Sequence, residues 1–215
     1  MTMPKSTKIT AGVDVGGPRK GFHAVVLKSG AFLAQFQSNN HAEMAEWLIA
    51  QKPRFIGIDS PCQWRTGEKP RLTETELAHT GIRCFFTPHR SEAINHPTGY
   101  YNWMLQGEKL YQLLQPDYPV FKQKSNEIST GRYCFETYPY AIACRLSGRI
   151  LKARNKLADR AELLHLHDIQ LPDPANIDFI DAALCALMAN LVSPEQYQAT
   201  GDDAGGHILL PLLTK

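Results

Sequence analysis

The sequence predicts an α/β fold built on a mixed sheet, and two observations lead there. Three strand-like apolar runs come first, separated only by short glycine-containing breaks, which is the spacing of antiparallel hairpins. Helical and strand-like patterns then alternate, which is the spacing of parallel strands joined by helical crossovers. A hydrophobic content of 43% in 215 residues is enough for one well-packed core.

The first three strands are expected over residues 8–15, 22–27 and 31–37, broken at Gly16-Gly17 and Ser29-Gly30. Asn40 caps a helix that runs to about residue 51, with Met44, Trp47 and Leu48 at helical spacing and Pro53 beyond its end. Residues 54–59, R-F-I-G-I-D, read as the fourth strand, stopped by Ser60-Pro61. Residues 62–130 carry less pattern: a short helix over 74–79, an extended loop over 81–88 with Arg83, and a longer helix over 98–115 closed by Pro116. That length exceeds a simple crossover. It is expected as an insertion within a single domain spanning residues 1–215, placed to shape substrate access. Residues 132–137, R-Y-C-F-E-T, are the fifth strand. Helices follow over 140–146, 153–166 and, strongly apolar, 177–191, and the tail at 205–213 could add a short edge strand.

Composition excludes several classes. The net charge of +2 does not by itself call for nucleic acid. Five cysteines without a C-x-x-C pair leave no legible zinc knuckle or disulfide framework. Residues 1–7 lack the apolar core of a signal peptide, and no run reaches membrane-spanning length. A cytoplasmic protein with no membrane partner is expected.

The chemistry lies in the acids. Asp14, Asp59 and Glu136 share one local grammar: an apolar strand, an acid at its end, then a Gly or Pro break. If the first, fourth and fifth strands lie side by side, these ends converge on the edge where open α/β sheets bind ligands. Asp178 and Asp181, three apart on the last helix, add two more. At about 100° per residue, Asp181 falls beside the apolar stripe while Asp178 points further towards solvent, so Asp181 is the better candidate. Clustered carboxylates cannot all stay ionised without cations, and their convergence points to divalent metal. Two such ions suit in-line attack on a phosphodiester.

Weaker signals remain. Gly16-Gly17 could cradle a phosphate or simply turn a hairpin, and His23 is expected as a packed strand residue. The basic residues Arg145, Arg149, Lys152, Arg154, Lys156 and Arg160 are either a solvated helix face or a phosphate-contacting surface. Arg83, Lys122 and Lys124 are similar. No Ser–His–Asp or Cys–His arrangement can be assembled.

Five motifs together give the chain a resemblance. They are G-V-D-V-G-G at residues 12–17, G-I-D-S-P at 57–61, F-E-T-Y-P at 135–139, D-F-I-D-A-A-L-C-A at 178–186 and G-G-H-I-L-L-P at 205–211. With these the chain resembles the DUF429 family of predicted nucleases in the ribonuclease H-like superfamily. The D-x-x-D-A spacing also looks like the terminal acidic pair of RuvC-type Holliday-junction resolvases. The resemblance implies a five-stranded ribonuclease H-like sheet of order 3-2-1-4-5 and metal-dependent phosphodiester chemistry. It implies that Asp14, Asp59, Glu136 and Asp181, with Asp178 in reserve, hold Mg²⁺ or Mn²⁺, Asp14 bridging two ions. Lys152, Arg154, Lys156 and Arg83 would then contact the phosphates of DNA or RNA. Two rivals stay open. Actin-like ATPases begin with a similar Asp-x-Gly-Gly hairpin, although their cleft needs two such domains, and a non-catalytic binding module could keep the acids as structural residues.

Overall fold

In a computed structural model, which describes residues 8–122, 131–193 and 196–212, the chain opens as an antiparallel meander. Its strands are β1 (Ile9–Val15), β2 (Phe22–Lys28) and β3 (Ala31–Ser38). The Asn40 side chain accepts from the Ala42 and Glu43 N–H groups and so starts α1 (His41–Ala50), which leads into β4 (Phe55–Asp59). Strand β4 lies parallel to β1, with Asp59 beside Asp14. The long connection that follows carries α2 (Leu72–His79), α3 (Arg90–Ile94) and α4 (Asn102–Leu114). Next comes β5 (Tyr133–Glu136), parallel to β4 with Glu136 beside Ile58.

Helix α5 (Pro139–Ser147) starts on a proline, whose missing N–H costs nothing in a first turn. A 3₁₀ turn (Ala153–Asn155), α6 (Lys156–Leu166) and α7 (Ile177–Leu191) follow. The described chain ends in a hairpin, β6 (Tyr197–Asp202) and β7 (Gly206–Pro211).

The sheet order is β3-β2-β1-β4-β5-β7-β6. The first five strands follow the expected order 3-2-1-4-5, but among the described residues the sheet has seven strands rather than five. The tail run is β7, lying beside β5, and the edge position falls to β6. Strand β6, Y-Q-A-T-G-D, is polar and interrupted by glycine, so it carries no strand signal of its own. It is held by its ladder to β7.

Side chains alternate across the sheet, and this decides which acids can meet. Val13, Val15, Ile56, Ile58 and Cys134 join one core with Met44 and Leu48 of α1 and Leu110 and Leu114 of α4. Val25, Leu27, Phe55 and Phe135 face the other way, onto α5, α6 and α7. Asp14, His23 and Asp59 share the parity of the α7 side, whereas Glu136 shares the parity of Cys134 on the α4 side.

Helix α7 lies unusually close to the sheet. Gly12 and Gly57 leave room for it: a Cβ on Gly12 would collide with the backbone of Ala182 and Ala186, and one on Gly57 would sit 2.6 Å from the Cys185 carbonyl. Thr10 Oγ1 also donates to the Ala186 carbonyl at 3.2 Å. Residues 180–189 of α7 are all buried.

Candidate metal centre

The site is assembled where β1, β2 and β4 meet the first turns of α7. Asp14 ends β1, and the hairpin register sets His23 directly across from it. The turn between them closes on itself: Gly16 N–H donates to the Gly21 carbonyl, and the N–H groups of Lys20 and Gly21 donate to the Gly17 carbonyl. The Gly16, Lys20 and Gly21 donors are thus spent within the turn. The turn also swings Lys20 back over the site. Its Nζ lies 3.6 Å from Asp14 Oδ2 and 2.5 Å from Asp178 Oδ1.

Asn176 caps α7 by accepting from the Phe179 N–H, which fixes Asp178 in the first turn and Asp181 in the next. One ligand atom from each of Asp14, His23 and Asp178 lies within 4.8 Å of the others. His23 is buried, its Nε2 3.9 Å from Asp178 Oδ2 and its ring edge-on to Phe179 at 4.9 Å. Asp181 is held by Arg160, which reaches across from α6.

The electrostatics follow from this crowding. Burial pushes the Asp14 carboxyl up to about 7, Lys20 opposes the rise, and Asp181 and Asp178 add to it. Asp59 is driven well above the usual carboxylate range, first by burial and then by Asp14 and Asp181. Burial raises Asp181 as well, against the pull of Arg160 and, more weakly, Lys156. Burial also lowers His23, which favours the neutral imidazole that metals bind.

Four carboxylates (Asp14, Asp59, Asp178 and Asp181) thus stand against two cations, Lys20 and Arg160. Ionised, the set carries two uncompensated negative charges, the charge of one divalent ion. Asp14 Oδ2 is buried with no hydrogen-bond partner. A mainly carboxylate set, with His23 beside it and an Asp14 oxygen offset only by the Lys20 ammonium at 3.6 Å, fits Mg²⁺ or Mn²⁺.

The structure places the expected residues unequally. Asp14, Asp59 and Asp181 share one neighbourhood. Asp178, expected towards solvent, instead meets Lys20 and lies beside His23. The helical-wheel ordering holds in burial, Asp178 being partly exposed and Asp181 buried, but the β1–β2 hairpin reaches the first turn of α7 and sets Lys20 and His23 against Asp178.

Glu136 is not brought into the group. Its carboxylate lies on the other side of the sheet, clamped by Arg71 at 2.8 and 2.6 Å and by the Cys62 N–H at 2.9 Å. Arg71 in turn binds Glu74 at 2.8 Å. Lys152, Arg154, Lys156, Arg83 and Lys122 are exposed, and Lys124 lies outside the described residues. Arg145 and Arg160, expected in one basic face, are buried.

Lys20 and His23 were recoverable from the hairpin: once Val15 pairs with Phe22, His23 must oppose Asp14. Arg160 stood in the basic stretch with nothing to distinguish it from its exposed neighbours. Arg71 gave no signal, because its partner is 65 residues away.

A family model described as "Protein of unknown function (DUF429)" matches residues 12–205. No curated protein matches the chain. Among solved structures, the chain is similar to Thermus thermophilus RuvC, at 13% identity over 83% of this chain and 91% of that one, with a TM-score of 0.40. It is also similar to T. thermophilus RuvC in complex with a Holliday junction substrate, at 15% identity over 84% and 91% of the two chains, with a TM-score of 0.42.

Proposed function

We propose that this chain, which belongs to the DUF429 family, is a divalent-metal-dependent nuclease that hydrolyses phosphodiester bonds of nucleic acid. The observation that carries this reading is the convergence of Asp14, Asp59, Asp178 and Asp181 on the α7 side of the sheet, with two more negative charges than Lys20 and Arg160 offset. Bound there, Mg²⁺ or Mn²⁺ would polarise a phosphoryl oxygen and make water a better nucleophile at neutral pH.

The chain's own residues have separable tasks. Asp14, Asp59 and Asp178 would hold the ion, and Arg160 fixes Asp181 at the back of the site. Lys20 holds the acids together without metal. When an ion takes its place, its half-exposed ammonium is free to meet a substrate phosphate. A second ion would require a further carboxylate to leave its cation, Asp181 being the nearest. Lys156, whose charge already reaches Asp181, and the exposed Lys152, Arg154 and Arg83 would bind flanking phosphates. Glu136 is assigned to holding Arg71 rather than to the metal.

Incubation of labelled single-stranded DNA, single-stranded RNA and four-way junctions with Mn²⁺ tests the proposal. Wild-type protein is expected to cut at least one of them, and Asp14→Asn to cut it ~100-fold more slowly or worse while keeping its circular-dichroism spectrum. Equal cleavage by the variant would remove Asp14 from the site.

A further inference from the structure

Beside the acids, on the side of the insertion, lies a cavity of about 210 Å³. Asp59 belongs to its wall, so the cavity and the carboxylate cluster adjoin. The volume equals about seven waters at ~30 Å³ each, the size of one planar ring system and too small for a base pair.

Its walls are aromatic. Phe85, Trp103 and Tyr138 line it, and Phe85 is 61% exposed, held edge-on to Trp103 at 6.4 Å and to Tyr100 at 6.2 Å. An exposed phenylalanine presented on two other rings has lost burial energy that a core would have supplied, and it offers a flat apolar face to a ligand.

The rest of the lining is polar and not fully satisfied. Glu74 is only 1% exposed. Its Oε1 accepts from Arg71 Nε, Thr87 N–H and Thr87 Oγ1 at 2.8, 2.9 and 2.6 Å. Its Oε2 is buried with no hydrogen-bond partner, and so is Ser60 Oγ. Both residues line the cavity. A buried unmatched carboxylate oxygen is costly, and a ligand bringing an N–H would relieve it.

We propose that this cavity receives one unpaired nucleobase of the strand that the acidic cluster cuts, stacked on Phe85 and donating a ring or amino N–H to Glu74. The inference rests on the nuclease reading and deepens it. A paired base has already committed its donor edge to its partner and cannot enter alone. The substrate class is therefore single-stranded nucleic acid, or a duplex in which one nucleotide is extruded. A lipid acyl chain would match the aromatic wall but leave Glu74 Oε2 without a donor.

The test is binding of a short single strand carrying 2-aminopurine, measured on the Asp14→Asn protein so that the strand survives, alongside cleavage by the wild type. Base stacking predicts quenched 2-aminopurine fluorescence. It also predicts roughly tenfold weaker binding when Phe85→Ala is added, and a similar loss for a strand with an abasic site in place of the base. Phe86→Ala is the control: Phe86 is 55% exposed but outside the cavity, and binding should be unchanged. Equal binding of intact and abasic strands, with Phe85→Ala without effect, overturns the base pocket; if the wild type still cuts, the nuclease reading survives. Base-selective binding without any cleavage keeps the pocket and removes the nuclease reading. No binding of either strand removes the pocket, and it removes the nuclease reading too only if the wild type cuts neither single strands nor four-way junctions.

Discussion

Asp14 carries most of the account at the scale of single residues. Its carboxyl sits near 7 because burial denies it water and Asp181 and Asp178 repel its charge, while Lys20 recovers only part of that cost. The sign of the consequence is fixed by the direction of the shift. From the ordinary value of 3.8 up to about 7, the unfolded chain has released a proton that the folded chain still holds. Asp14 therefore favours folding most at the acidic end of this window, and that contribution is lost as pH rises through it, at about 1.4 kcal/mol per unit. Asp59 and Asp181 shift in the same direction and steepen the loss. Chemical denaturation of the metal-free protein at several pH values should show stability falling over this range. Asp14→Asn should flatten the slope, because an amide has no proton to lose. A metal-free stability that climbs with pH in wild type would contradict the assignment. Millimolar Mn²⁺ should restore stability at the alkaline end, since an ion that binds only the folded state stabilises it.

At the scale of elements, the site depends on how closely α7 lies on β1 and β4. Gly12 and Gly57 set that distance, and Asp178 and Asp181 reach Asp14 and Asp59 only because the helix backbone touches the sheet. Gly12→Ala forces α7 outward and is expected to cost about 3 kcal/mol. It should also weaken Mn²⁺ binding by roughly tenfold, as even a small outward shift spoils the shared coordination. Urea unfolding and isothermal titration measure the two effects, and an unaltered Mn²⁺ affinity would show that helix placement does not set the site.

The same element separates what the sequence reveals from what it hides. Asp14 and Asp59 are legible because an acid ending an apolar strand is locally costly and therefore locally visible. The contact of Asp178 with Lys20 and His23 is not. A wheel assumes one buried side, and α7 is covered by the sheet, by α5 and α6, and by the β1–β2 hairpin. Glu136 follows the same strand-end grammar as Asp14, but grammar does not fix which side of the sheet a residue occupies. One step of register puts Glu136 beside Ile58 and turns it towards Arg71 instead of α7.

For the whole molecule, the sheet is a divider with different chemistry on its two sides. One side holds the acids under α7, with Lys20 and Arg160 as built-in countercharges. The other holds the Glu136–Arg71–Glu74 network, which ties the long β4–β5 connection to the strand ends and forms part of the aromatic-walled cavity. The five-strand core order was legible from hairpin spacing and the resemblance together. The β6–β7 hairpin was half hidden, because a polar edge strand depends on its ladder rather than on its own composition. No helix among the described residues is long and apolar enough to cross a membrane.

The central claim, that the acids on the α7 side form a divalent-metal site, is tested most directly by diffraction from crystals grown with Mn²⁺, using its anomalous signal. An ion is expected about 2.1 Å from carboxylate oxygens of Asp14 and Asp178, with Asp59 in or next to the coordination shell and Lys20 moved off both acids. Lys20 still bridging Asp14 and Asp178 at saturating Mn²⁺, with no anomalous peak between them, would contradict it.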